Sequence, residues 1–292
     1  MRKAILLLLI LLSLSQASFA GEMIAYSRLT DGYWQIWVVE ANGENKKQIT
    51  FSQEDKRDPG WTGDGGKIAF RTNNGELFTI HLDGSHQERI LEKYGVIASP
   101  TFSKKTNEIV FVRFDPRLTD VSDIWKSDGE GKNVVLLTKD NKPKFQPCFS
   151  PDGEKIVFVK ADDDRKNYHL WLMSASRGQS DGQNAAQITQ GKGFDTLPDF
   201  SPDGKTIAFT SNRGGDFDIY TVDLGTKKVA QLTNNSSLDT SSSFSPDGER
   251  IVFVSNRSGN QQIWLVNKDG SGLNQLTFEK DDSVDPAWGE IK

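Results

Sequence analysis

The stretch Pro198-Asp-Phe-Ser-Pro-Asp-Gly-Lys-Thr-Ile-Ala-Phe209 decides the fold, because the chain repeats it. It returns as Pro147-Cys-Phe-Ser-Pro-Asp-Gly-Glu-Lys-Ile-Val-Phe158 and as Ser242-Ser-Phe-Ser-Pro-Asp-Gly-Glu-Arg-Ile-Val-Phe253. Weaker copies begin at Pro59 and Pro100, and Pro286-Ala-Trp288 is a short last copy. The six anchors at 59, 100, 147, 198, 242 and 286 are spaced 41 to 51 residues apart. That is the length of one four-stranded propeller blade.

Each repeat explains itself locally. A first strand ends on Phe or Trp, and Ser-Pro-Asp-Gly then forces a tight turn, since Pro fixes φ and Gly accepts φ above zero. Ile-x-Phe is a second strand with apolar residues at alternate positions. In the copy at 198, Ser211-Asn-Arg-Gly-Gly-Asp216 is a polar connector and Asp218-Ile-Tyr-Thr-Val222 a third strand. A fourth ends at Gln231-Leu-Thr233, with counterparts at Gln48-Ile-Thr50, Leu136-Leu-Thr138, Gln187-Ile-Thr189 and Gln275-Leu-Thr277. Stacking such sheets radially buries both faces of each and leaves only short edges. Met23-Ile-Ala-Tyr26 reads as a second strand and Pro286-Ala-Trp288 as a first strand. Their pairing closes the ring. The expected fold is all-β: a six-bladed β-propeller of four-stranded antiparallel blades, one domain over residues 21–292.

Residues 1–20 form a separate object. Met1-Arg2-Lys3 is basic, residues 4–14 are almost wholly apolar, and Ser18-Phe19-Ala20 places small residues before a cleavage point. This is the pattern of a signal peptide, and it implies a periplasmic or otherwise extracytoplasmic protein. No other segment is apolar enough to span a bilayer. Without residues 1–20 the chain carries 33 basic and 40 acidic residues, a formal charge of −7. An acidic surface with no Lys/Arg stripe argues against a nucleic-acid partner. Cys148 is the single cysteine, so no internal disulfide is available, and its apolar neighbours read as core.

The pattern Pro-x-Phe-Ser-Pro-Asp-Gly, Ile-Ala-Phe, Ser-Asn-Arg-x-Gly, Asp-Ile-Tyr resembles the propeller repeat of the TolB family, periplasmic components of the Tol–Pal system. The resemblance covers nearly all of residues 21–292. It implies a propeller that receives a partner protein at the mouth of its central channel, a Pal-like lipoprotein among the candidates. It does not extend to the α/β domain that precedes the propeller in that family, because two dozen residues before Ile24 are too few for one. Similar repeats occur in prolyl-oligopeptidase-like peptidases, whose hydrolase domain has no counterpart here.

Antiparallel strands place connectors alternately on the two faces of the disc. The Ser-Pro-Asp-Gly turns share one face, where Asp152, Asp203 and Asp247 read as turn residues. The Ser-Asn-Arg connectors share the other with the segments entering each first strand. There Asp58, Asp195, Asp239 and Asp285 are expected to crowd one channel mouth, with Arg28, Arg213 and Arg257 beside them. A ring of acids suits a basic partner segment or a divalent cation such as calcium. The competing reading has each Asp capping its own loop, as Asp55 and Asp282 could, or pairing with an Arg. Insertions at 113–122, containing Asp115-Pro116, and at 161–168, with three consecutive Asp, decorate the same face; the 177–185 loop falls on the other.

His81, His86 and His169 give no metal-ligand spacing. No Gly-x-Ser-x-Gly elbow and no phosphate-cradling glycine loop is present. Two functions remain open. One is an exported, noncatalytic, monomeric protein-binding module of the cell envelope that needs no cofactor. The alternative is a polysaccharide lyase or glycoside hydrolase using channel carboxylates.

Overall fold

The computed structural model describes residues 21–114, 121–140, 142–176 and 185–291. The expected signal peptide at residues 1–20, Asp115-Pro116 and most of the 177–185 loop lie outside them. Six four-stranded antiparallel sheets stand around an axis. Their innermost strands are Ser283–Ile291 in blade 1, Lys56–Trp61 in blade 2 and Ile97–Phe102 in blade 3. Lys144–Phe149, Asp195–Phe200 and Asp239–Phe244 fill that place in blades 4, 5 and 6. Each inner strand touches the next, and that of blade 6 touches that of blade 1. The expected closure is observed: Ser283–Ile291 pairs antiparallel with Gly21–Thr30, with Ile24 opposite Trp288.

The core is divided into seams. Six apolar clusters are found, and each draws on two neighbouring blades. Between blades 4 and 5, Val157, Val159 and Leu170 meet Ile207, Phe209 and Tyr220. Alternation along each second strand sends one set of side chains to the preceding blade and the other to the following one. A blade therefore has no finished core of its own.

Two sequence motifs acquire clear roles. In the Ser-Pro-Asp-Gly turns, Asp203 Oδ1 accepts from Ser201 Oγ at 2.6 Å and from the Lys205 N–H at 3.0 Å. Asp152 and Asp247 repeat the arrangement. The Thr that ends each Gln-Leu-Thr motif extends a very short outer strand. Thr233 Oγ1 accepts from the Ile219 N–H at 3.0 Å, and Thr50, Thr138, Thr189 and Thr277 do the same in their blades. One hydroxyl thus satisfies a strand N–H that a two-residue edge strand cannot reach.

Candidate functional site

All six inner strands carry the same irregularity. The ladder to the second strand skips between the second and fifth positions in blades 2 to 6, as between Arg57 and Gly60 or Thr196 and Asp199. Blade 1 has a matching shift opposite Asp285. At the bulge one residue per blade adopts a left-handed backbone: Asp58, Ser99, Gln146, Leu197, Ser241 and Asp285, with φ between 47 and 56°. None is glycine, so each stores about 1–3 kcal/mol of strain. Pro follows in every blade but the sixth, where Ser242 stands. Proline is tolerated because the inner strand is a sheet edge and its N–H has no partner to lose. The bulge turns these six residues toward the axis, where they line a cavity of roughly 340 Å³.

The predicted acids separate into two groups. Asp58 and Asp285 lie on the bulge ring and line the cavity. Asp58 Oδ2 accepts from Arg71 at 2.7 and 2.9 Å, and Asp285 Oδ2 from Arg57 Nε at 2.8 Å. The Arg57 guanidinium lies 4.2 Å from the centroid of the Trp34 ring. Burial and the nearby Asp285 charge raise the Asp58 carboxyl above its ordinary range, against the opposing pull of Arg71.

Asp195 and Asp239 do not join that ring, which corrects the expected crowding of four acids. They occupy the first position of their strands, with 1% and 0% exposure, and face the preceding blade. Arg213 Nη2 donates to both Asp195 oxygens at 2.6 and 2.7 Å, Ser211 Oγ donates at 2.7 Å, and His169 Nδ1 lies at 3.3 Å. Burial alone pushes the Asp195 carboxyl up, and these hydrogen bonds outweigh it, so the group sits below its ordinary range. Asp239 takes Arg257 Nη2 at 2.7 Å. Arg28 packs 4.7 Å over Trp37 and pairs with Glu279. Asp55 and Asp282 cap loops, accepting from the Trp34 and Gln261 N–H groups. For these acids the capping or arginine-pairing reading describes the structure.

Sequence reasoning missed Ser99, Gln146, Leu197 and Ser241, although for the first three the signal was present: an X-Pro pair at one register of five strands marks an edge bulge. Latches join neighbouring inner strands around the channel. Gln146 Oε1 accepts from the Leu197 N–H at 2.9 Å, and Asp199 Oδ2 from the Phe244 N–H at 2.8 Å. Ser243 Oγ accepts from the Trp288 N–H at 3.2 Å. Cys148 lies 3.7 Å from Asp199 Oδ1, and burial together with that carboxylate pushes its thiol pKa up. His169 is buried against Asp195, while His81 and His86 lie near the surface with their rings tilted by 58° and centroids 5.1 Å apart.

Among the described residues no helix is long and apolar enough to cross a membrane, and no group of three or more His, Cys, Asp or Glu is placed to hold a metal ion. The chain is similar to the Tol-Pal system protein TolB of Bordetella pertussis, with 25% identity over 204 residues, 54% of this chain and 45% of that protein. It thus spans about half the length of the curated TolB proteins it matches. A crystal structure of TolB from Acinetobacter baumannii superposes with a TM-score of 0.77 at 23% identity, over 91% of this chain and 66% of that one. An oligogalacturonate lyase in complex with manganese shares the fold at TM-score 0.59 and 16% identity, over 88% of this chain and 74% of that one. Residues 73–221 and 124–290 match the family described as the TolB beta propeller domain, and the chain belongs to that family.

Proposed function

We propose that the chain works outside the cytoplasm as a noncatalytic, monomeric binding module of the cell envelope, docking a protein or peptide at the mouth formed by the bulge ring. The observation that carries this reading is the ring of six non-glycine residues in left-handed backbone, one per blade, lining one cavity. Backbone strain repeated at one register of six strands supports a binding surface there. Asp58 and Asp285, with Arg71 and Arg57, give the mouth its charged side, and Asp195, Asp239, Arg213, Arg257 and Arg28 hold the wall behind it. The TolB relatives make a Pal-like lipoprotein the first partner to test. The lyase alternative has no specific observation in its favour, since the mouth acids face arginines.

The test is calorimetric titration with the soluble domain of a Pal-like lipoprotein from the same genome. The reading expects saturable binding that weakens at least tenfold, about 1.4 kcal/mol, in the Asp58→Asn/Asp285→Asn double variant. Unchanged affinity in a variant that melts like the wild type rejects the mouth as the docking site.

A further inference from the structure

Two seams between blades hold a complementary pair of residues near the connector face. The first member lies at the start of a third strand, and the second is the first residue of the next inner strand. Between blades 3 and 4 the pair is Asp123 and Lys144, 3.2 Å apart. Between blades 4 and 5 it is His169 and Asp195, 3.3 Å apart. In each of these two the members complement each other.

The seam between blades 5 and 6 breaks the pattern, because both members are acids. Asp218 is 3% and Asp239 0% exposed. The Asp239 N–H donates to the Phe217 carbonyl at 2.9 Å, which fixes Asp239 beside Asp218. Asp218 accepts from Gln231 Nε2 at 3.0 Å and Thr233 Oγ1 at 3.2 Å, both neutral donors. Asp239 Oδ2 accepts from Arg257 Nη2 and Asn235 Nδ2, each at 2.7 Å. Asp239 Oδ1 is fully buried with no hydrogen-bond partner. In Asp195, by contrast, both oxygens are filled, by Ser211, Arg213 and His169. Burial and the Asp239 charge raise the Asp218 carboxyl, as expected of two uncompensated neighbours.

The fold itself shows what belongs in this position. At the seam between blades 3 and 4 the fully buried Lys144 ammonium lies against Asp123 Oδ1 at 3.2 Å, Asp140 Oδ1 at 2.5 Å and the Lys142 carbonyl at 2.9 Å. Asp123 is the counterpart of Asp218, and the connector after Thr138 is the counterpart of the one after Thr233. One seam therefore holds a monovalent cation supplied by the chain. The other has the carboxylates and no such side chain. Two carboxylates and the Arg257 guanidinium leave a net charge of −1, and an unpaired buried charge is costly.

We propose that the seam between blades 5 and 6 binds a small monovalent metal cation, sodium or potassium, between Asp218 and Asp239 Oδ1. Hard oxygen donors suit such an ion. The bound cation ties blade 5 to blade 6 as Lys144 ties blade 3 to blade 4. The site is separate from the channel mouth and independent of the docking reading.

The experiment is thermal melting at pH 7.5 in tetramethylammonium chloride, replaced stepwise by sodium or potassium chloride at constant ionic strength, so that screening stays fixed. The wild type is expected to gain about 3 °C at tenfold excess over the dissociation constant, with the smaller midpoint concentration identifying the preferred ion. Asp218→Asn is expected to lose the response. Asp218→His, which rebuilds the His169–Asp195 pairing in the new seam, is expected to lose it while keeping a wild-type-like melt. Equal melting in all three salts overturns the proposal. So does an undiminished response in Asp218→Asn, or a melt that rises only on acidification, which assigns the seam to a shared proton.

Discussion

Replacing Asp195 by Asn isolates the wall acids from the mouth acids. The substitution keeps the shape of the side chain and removes its charge. Arg213 loses an ionic partner that met it through both oxygens, and His169, 3% exposed, loses its carboxylate. Breaking a buried charge pair by removing one partner costs about 3–5 kcal/mol; because the Arg213 side chain is 20% exposed, the lower end applies. At about 2–4 °C per kcal/mol for a domain of this size, the melting point falls by about 10 °C. Asp58→Asn is the control. Its side chain is 35% exposed and its arginine partner 25%, so the loss is about 1 kcal/mol or less. The assay is urea unfolding followed by tryptophan fluorescence at pH 7, repeated at lower pH. The pH arm has a defined sign. The folded-state carboxyl of Asp195 lies below its unfolded value of about 3.9. Its stabilisation is therefore present above that value and is lost as the pH falls through the folded one. The gap between wild type and Asp195→Asn should accordingly close in strong acid. If Asp195→Asn stays within 1 kcal/mol of wild type while Asp58→Asn falls further, the division between wall and mouth is wrong.

Gly289→Ala puts a methyl group 2.4 Å from the Trp61 ring, which Trp61 Nε1 holds in place through the Ala287 carbonyl at 3.0 Å. Overpacking of this kind costs about 1–3 kcal/mol. Urea unfolding should show that loss, with hydrogen exchange quickening first at Met23 and Ile24 in the same blade; unchanged stability contradicts the packing at this seam. Cys148 should react with a thiol reagent at pH 8 much more slowly in the folded protein than in denaturant, and faster in Asp199→Asn, because burial and the Asp199 charge both hold the thiol protonated. Labelling at the denatured rate counts against that environment. Since the Asp58 carboxyl is raised, affinity for a cationic partner segment should begin to fall at a pH above the ordinary aspartate range as the medium is acidified; a titration that is flat until about pH 4 speaks against Asp58 as a contact.

The repeat made the blades legible because the information is local. Ser201-Pro-Asp-Gly204 needs only its own hydroxyl, carboxylate and backbone to form a turn. The spacing of its copies counts the blades, and the strands at 21–30 and 283–291 are the ones that meet at the closure. The site was legible only in part. The turn and loop-capping Asp residues followed from their neighbours. The choice among the four mouth candidates did not. In a regular strand the first and third positions point to the same side, so Asp195 and Asp239 read as equivalent to Asp58 and Asp285. The left-handed bulge residue breaks that parity. It swings the third position to the axis and leaves the first buried against the preceding blade. Arg213 and Ser211 meet Asp195 from its own repeat, but His169 comes from the preceding one, 26 residues away. Sequence alone therefore determined the blade, its turns and its number. The closed ring decided which acids line the mouth and where two acids were left as neighbours, because contacts across a seam exist only once the blades stand side by side.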